Sequence, residues 1–129
     1  MNVLVVEDNW ITGEIVRTTL ESRGYSVLLA PTGRMGMQLM SNHTCELVLL
    51  DLMLPDGDGA ELLERLRQLP GGDRIPILAF SAFLSRMEDL RKRKARFNGY
   101  VAKPIEPHEL LKVVEEHLKM PDQPAIAPV

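Results

Sequence analysis

The sequence is short of several things, and each shortage excludes a class of protein. It has a single cysteine, Cys45, so no internal disulfide can form, and a reducing compartment suits it. No apolar run approaches the length of a membrane span. No basic segment followed by a long apolar stretch opens the chain, so a cytoplasmic protein with no membrane partner is expected. Charge of one sign is also scarce: the formal net charge is −3, which excludes the chain as a whole from binding polyanions. With no helix-turn-helix or similar pattern, direct nucleic-acid binding is not expected either. The three histidines, His43, His108 and His117, are scattered, which argues against a transition-metal site. Cys45 falls where a strand should begin, the usual setting of a buried and inert thiol.

What is present suits one soluble globular domain. At 129 residues the chain can build one real core but not two ordinary ones, and 45% apolar with 26% charged residues is a normal globular composition. Short β-rich runs alternate with helical patterns. Strands are predicted at residues 2–6, 26–29, 46–50, 76–80 and 99–102. Helices are predicted at 10–23, 34–42, 59–69, 86–96 and 107–120. The first helix carries Ile11, Ile15, Leu20 and, less regularly, Val16 at helical spacing, and Gly24 ends it. Asp58-Gly59-Ala60-Glu61 and Ser85-Arg86-Met87-Glu88 read as capping boxes. Pro107 suits the first turn of the last helix. Strands that are apolar throughout, Leu47–Leu50 above all, indicate a sheet covered on both faces. Five βα units of this kind make a single α/β, doubly wound domain over residues 1–120, with a parallel sheet of expected order 2-1-3-4-5 and five helices. Residues 121–129 are proline-rich and aperiodic, and are expected to form a tail or the start of a linker.

Three of the strand runs stop on charged residues. Val3-Leu4-Val5-Val6 stops on Glu7 and Asp8, Leu47-Val48-Leu49-Leu50 on Asp51, and Tyr100-Val101-Ala102 on Lys103-Pro104. The C-terminal ends of parallel strands share one rim, so these groups should converge at the switch point of the sheet. Crowded carboxylates call for a cation, and a few oxygen ligands with room for water suit Mg²⁺ better than a Ca²⁺ cage. The acids of residues 51–58 lack the full spacing of an EF-hand loop. A carboxylate can also attack a phosphoryl group, a transfer that depends on positioning and charge neutralisation. Lys103 can supply a point charge, and Ser81, after Leu78-Ala79-Phe80, a hydroxyl hydrogen bond.

Taken in order, Val5-Val6-Glu7-Asp8-Asn9, Asp51 to Gly59, Phe80-Ser81-Ala82 and Tyr100-Val101-Ala102-Lys103-Pro104 make the chain resemble the receiver (REC) domain of two-component response regulators. The resemblance spans about residues 2–119 and implies a flavodoxin-like (CheY-like) fold. It implies that Asp51 is the phosphoacceptor, that Glu7, Asp8, Asp51 and the Met53 backbone carbonyl bind Mg²⁺, and that Ser81 and Lys103 contact the phosphoryl group. Ser81 and Tyr100 become switch residues, and Lys103-Pro104 holds a cis peptide bond. The implied activity is that of a phosphorelay signalling domain rather than an enzyme, one that catalyses only its own phosphorylation and dephosphorylation. A histidine kinase or histidine phosphotransfer protein is the implied donor. Phosphorylation would switch the face built from the fourth helix, fifth strand and fifth helix for a downstream protein or a fused output domain, with the chain a monomer or a phosphorylation-dependent dimer.

Some residues depart from that pattern. Arg96 and Phe97 stand where small residues and a helix-ending glycine are usual, and Asn98 is expected to take over the left-handed cap. Arg91-Lys92-Arg93-Lys94-Ala95-Arg96 is strongly basic; its charges wrap around the helix, and an acidic protein partner is the functional alternative to a solvated face. Met53 and Phe83 flank the path of a hydrolytic water in the family, and neither can orient water strongly, so slow self-dephosphorylation is expected. Three rival readings fit less well. A haloacid dehalogenase-type phosphatase wants a second aspartate where Met53 stands. A flavodoxin-like FMN site needs a neutral loop where Glu7 and Asp8 stand. A phosphorylation-independent interaction module has little reason to keep all five rim residues.

Overall fold

The computed structural model describes residues 1–81 and 97–118. In chain order the elements are β1 (Asn2–Val6), α1 (Trp10–Glu21), β2 (Ser26–Ala30), α2 (Gly33–Asn42), β3 (Leu47–Asp51), the short strands β4 (Met53–Leu54) and β5 (Gly57–Asp58), α3 (Gly59–Gln68), β6 (Ile77–Ser81), β7 (Gly99–Ala102) and α4 (Pro107–Leu118). Five strands form one parallel sheet in the order β2-β1-β3-β6-β7. Counting sheet strands alone, that is the expected 2-1-3-4-5 order of a flavodoxin-like, doubly wound domain. Four helices are described. The helix predicted at 86–96, its basic segment, Phe83 and the tail at 121–129 lie outside the described residues. Among the described residues no helix is long and apolar enough to cross a membrane.

Period-two alternation within buried strands builds two cores from one sheet. Val3, Val5, Leu47, Leu49, Leu78 and Phe80 face α1 and α4, meeting Val16, Leu20, Leu110, Leu111 and Val114. Leu4, Val6, Val48, Leu50 and Ile77 face the other way, toward Leu62, Leu63 and Leu66 of α3 and half-buried Met37, Leu39 and Met40 of α2. β3 and β6 are buried along their whole length, as expected for central strands covered on both faces.

The helix ends follow local chemistry. Asn9 Oδ1 accepts the Thr12 N–H at 3.0 Å to open α1, and Asp58 Oδ1 accepts the Ala60 N–H at 2.8 Å to open α3. Gly24, at φ 89°, takes the left-handed turn after α1, whose last helical residue is Glu21 rather than Arg23. The apolar face of α1 is not the one the spacing suggests. Gly13, Val16 and Leu20 are buried, whereas Ile11 and Ile15 are 58% and 46% exposed beside Trp10. Both pairs are four residues apart, so periodicity alone cannot choose between them. Cys45 is buried just before β3, and burial pushes its thiol pKa up.

Asn98 ties two segments together, while the helix end it is expected to cap lies outside the described residues. Its N–H donates to the Ile77 carbonyl at 2.8 Å, while its Oδ1 accepts from the Ile77 N–H at 2.8 Å and from Arg67 Nη2 at 2.7 Å. The buried Arg67 guanidinium also donates to the carbonyls of Gly72 and Ile75, so its charge is spread over acceptors on three residues. Phe97 packs beside Tyr100 with ring centroids 5.9 Å apart.

Candidate functional site

Strand register assembles the site. Val6 pairs with Leu50, Asp51 with Phe80 and Ser81 with Ala102. Glu7, Asp51, Ser81 and Lys103 therefore stand at the ends of four neighbouring strands, at the rim where the order reverses between β1 and β3. Asp51 and Ser81 are the last residues of β3 and β6, which end one residue later than the sequence suggests.

Glu7 and Asp51 are each only 5% exposed, Ser81 is buried and Asp8 is exposed. One carboxylate oxygen from each of Glu7, Asp8 and Asp51 lies within 4.8 Å of the others. Lys103 Nζ donates to Glu7 Oε1 and, at 3.3 Å, to Asp51 Oδ2. It sits over the Phe80 ring, 4.8 Å from the centroid, so the floor beneath the ammonium is aromatic. Asp51 Oδ1 accepts the Met53 N–H at 3.1 Å, and Glu7 Oε2 accepts the Asn9 N–H at 3.0 Å. Both buried acids are thereby held by one backbone amide and one lysine.

One ammonium does not offset three carboxylates. Burial pushes the Glu7 carboxyl up to about 7; the Lys103 and Asn9 hydrogen bonds oppose this, and the neighbouring Asp51 adds to it. The set is all oxygen and carries excess negative charge, with one side open at Asp8. That donor chemistry fits a hard divalent cation.

Tyr100 lies on β7, half-buried, beside the small cluster of Leu52 and Ala79. Met53 is 56% exposed at the start of β4. The Lys103–Pro104 peptide is cis. Three contributors went unnoticed in the sequence: Phe80 as the floor under Lys103, Asn9 as a backbone donor to Glu7, and the β4–β5 ribbon where only a sharp turn was read. The two-residue strands of that ribbon are too short to show periodicity.

Gly59 closes the ribbon against the strand end. Its N–H donates to the Leu52 carbonyl at 3.1 Å, and a Cβ there would lie 2.8 Å from the Asp51 carbonyl oxygen and the Leu52 Cα. Gly59→Ala is expected to lower stability by about 1–3 kcal/mol in urea denaturation, because rigid backbone must move.

The response regulator receiver domain family model matches residues 3–115. A protein of Leptolyngbya boryana, described as an uncharacterized 14.6 kDa protein in the sodA1 3′ region, is 32% identical over 91% of this chain and 89% of its own length. The polar-differentiation response regulator DivK of Brucella ovis is 27% identical over 91% of this chain and 95% of its own. Among solved structures, the receiver domain of sensor histidine kinase PA1611 from Pseudomonas aeruginosa, which has a magnesium ion coordinated in its active-site cleft, superposes with a TM-score of 0.81 at 28% identity, covering 91% of this chain and 96% of that one. With the ordered strands, the switch-point rim and these likenesses in agreement, the chain belongs to the response regulator receiver domain family.

Proposed function

We propose that the chain is a Mg²⁺-dependent phosphoacceptor switch in which Asp51 carries the phosphoryl group. The observation that supports this most directly is the pairing of Lys103 with both Glu7 and Asp51 beside a three-carboxylate cluster at the switch point. In the transfer, a carboxylate oxygen of Asp51 attacks phosphorus. The P–N bond to the donor histidine breaks, its electron pair staying on the imidazole, and an acyl phosphate forms.

Lys103, whose side chain is 20% exposed, would shift its ammonium from Glu7 toward the incoming phosphoryl oxygens. Glu7, Asp8, Asp51 and the Met53 carbonyl would hold the ion. Bound Mg²⁺ supplies neutralisation of the acids and of the transferring group. Ser81, buried at the end of β6, stands one register step beyond Asp51 and is suited to donate its hydroxyl to the phosphoryl group. Movement of Ser81 and Tyr100 toward the new charge would shift a pre-existing equilibrium at the face formed by β7, α4 and the preceding segment. A downstream protein or fused output domain would read that face, and the chain would act as a monomer or a phosphorylation-dependent dimer. The domain is assigned to residues 1–120, with 121–129 a tail or linker start, in the cytoplasm and with no nucleic-acid or membrane partner. The donor is a histidine kinase or a histidine phosphotransfer protein.

The test is intact mass after incubation with Mg²⁺ and acetyl phosphate. One phosphoryl group should appear, and chelation before the donor is added should prevent it. No adduct, together with no Mg²⁺-dependent change in Trp10 emission, would overturn the assignment. The same experiment followed over time reads the lifetime. The thioether of Met53, like the Phe83 ring, has no strong group with which to orient water, so decay should be slow. Met53→Asn, which adds an amide at this exposed position, should shorten the lifetime by about tenfold, the size of a lost or gained positioning hydrogen bond of ~1.4 kcal/mol. Equal lifetimes would show that Met53 does not border the water path.

A further inference from the structure

The segment from Asp51 to α3 is tethered at its base, its end and its tip. Gly59 closes the base on Leu52, and Asp58 caps α3. The tip reaches sideways to another helix. Asp56 Oδ1 accepts the Gly33 N–H at 2.8 Å, and Oδ2 accepts the Arg34 N–H at 3.0 Å. Thr32 Oγ1 accepts the Met35 N–H at 3.1 Å. The first three amides of α2, which no helix can satisfy internally, are thus all taken by side chains, two of them by a carboxylate more than 20 residues away. Those two amides hold the Asp56 carboxyl below the usual carboxylate range.

This tether bears on the site because of what the ribbon carries. Met53 pairs with Asp58 and Leu54 with Gly57, leaving Pro55 and Asp56 at the tip. A ribbon of two-residue strands has little stability of its own. Its first residue, Met53, nevertheless supplies the amide that holds Asp51 Oδ1, leaving Oδ2 toward Lys103. Gly33 allows the close approach: a Cβ there would stand 3.3 Å from both Asp56 Oδ1 and Leu62 Cδ2.

We propose that Asp56 is a positioning residue for Asp51: by pinning the tip of the β4–β5 ribbon to the N-terminus of α2, it keeps the Met53 amide on the Asp51 carboxylate. The proposal rests on Asp51 being the phosphoacceptor. A corollary is that a change at Asp51 reaches α2 through the ribbon.

The test compares Asp56→Ala, Asp56→Glu and Thr32→Ala with the unaltered chain. The phosphorylation rate is read by intact mass with Mg²⁺ and acetyl phosphate, and stability by urea denaturation. Thr32→Ala removes a cap from the same helix end without touching the ribbon. Asp56→Ala and Thr32→Ala should both lower stability, but only Asp56→Ala should slow phosphorylation, by about tenfold, as for other groups that orient a ligand from behind. Asp56→Glu, which keeps the carboxylate, should recover part of the rate. Unchanged rates in Asp56→Ala, or equal slowing in Thr32→Ala, would overturn the proposal, since Asp56 would then be only a helix cap. If Asp56→Ala does not fold, Asp56→Asn, which keeps one acceptor oxygen, is judged by the same two results. Absence of an adduct on the unaltered chain, together with no Mg²⁺-dependent change in Trp10 emission, would remove the phosphoacceptor reading and this inference with it, whereas an adduct formed equally well by every variant would remove the inference alone.

Discussion

Asp51→Asn is expected to take up no phosphoryl group under conditions in which the unaltered chain gains one, while keeping its fold. The loss should be complete, because an amide oxygen in place of the carboxylate is too weak a nucleophile. Retention of the fold follows from the contacts. The substituted side chain would still offer its amide oxygen to the Met53 N–H, replacing the 3.1 Å hydrogen bond of the native carboxylate. It would lose the 3.3 Å contact with Lys103, but Lys103 keeps Glu7. It would also remove one of the neighbours that raise the Glu7 carboxyl. These changes oppose one another, so the stability change should lie within about 1 kcal/mol in urea denaturation. An adduct persisting in Asp51→Asn would place the nucleophile elsewhere on the rim.

Lys103→Ala is expected to slow phosphorylation by about 100- to 1000-fold, the usual consequence of removing one charge-stabilising donor from a transfer site. It differs from Asp51→Asn in its effect on stability. Glu7 and Asp51 would remain buried without their ammonium, and breaking a buried pair commonly costs about 3–5 kcal/mol. The cost here should be smaller, roughly 2 kcal/mol, because the Lys103 side chain is 20% exposed and Glu7, already raised, can take up a proton. Mg²⁺ should then stabilise Lys103→Ala more than the unaltered chain, since the ion would be the remaining cation among the acids. Urea denaturation with and without Mg²⁺ measures this directly. Equal stabilisation of the two chains would mean that the ion and Lys103 do not share the carboxylates.

The two substitutions also divide the roles of a crowded site. Asp51 and Lys103 both contact charge, and both lie at strand ends, yet removing the acid should leave stability nearly unchanged and removing the lysine should lower it. The reason is the sign of what each removal leaves behind. Removing an acid relieves repulsion within the cluster; removing the lysine increases it.

Much of the site is legible in the sequence, because parallel strands impose a simple rule. A run that is apolar throughout and stops on a charge must put that charge at the C-terminal rim of the sheet. Glu7, Asp51 and Lys103 follow from that rule, and the observed register of Val6 with Leu50 and of Ser81 with Ala102 brings them together. Short local signals were equally reliable where a single hydrogen bond carries them, as in the Asp58 cap of α3. The strand order needed the handedness of the crossovers as well as the pattern, and the structure has the expected one.

Periodicity failed where it was degenerate. Ile11 and Ile15 are as helical in spacing as Val16 and Leu20, and only the direction in which α1 meets the sheet exposes the first pair and buries the second. Contacts between distant segments left no local trace. Nothing around Asn98 announces that its side chain joins Arg67 to Ile77, and nothing in Pro55-Asp56 points to Gly33 and Arg34. By itself the sequence determined which elements form and which charges stand at the rim, because these depend on backbone period and on the residue that ends each run. The tertiary structure decided which face of α1 is buried, which groups hold the two buried acids and which helix anchors the loop after Asp51. Those outcomes depend on how elements far apart in the chain meet, where long-range packing outweighs any local preference.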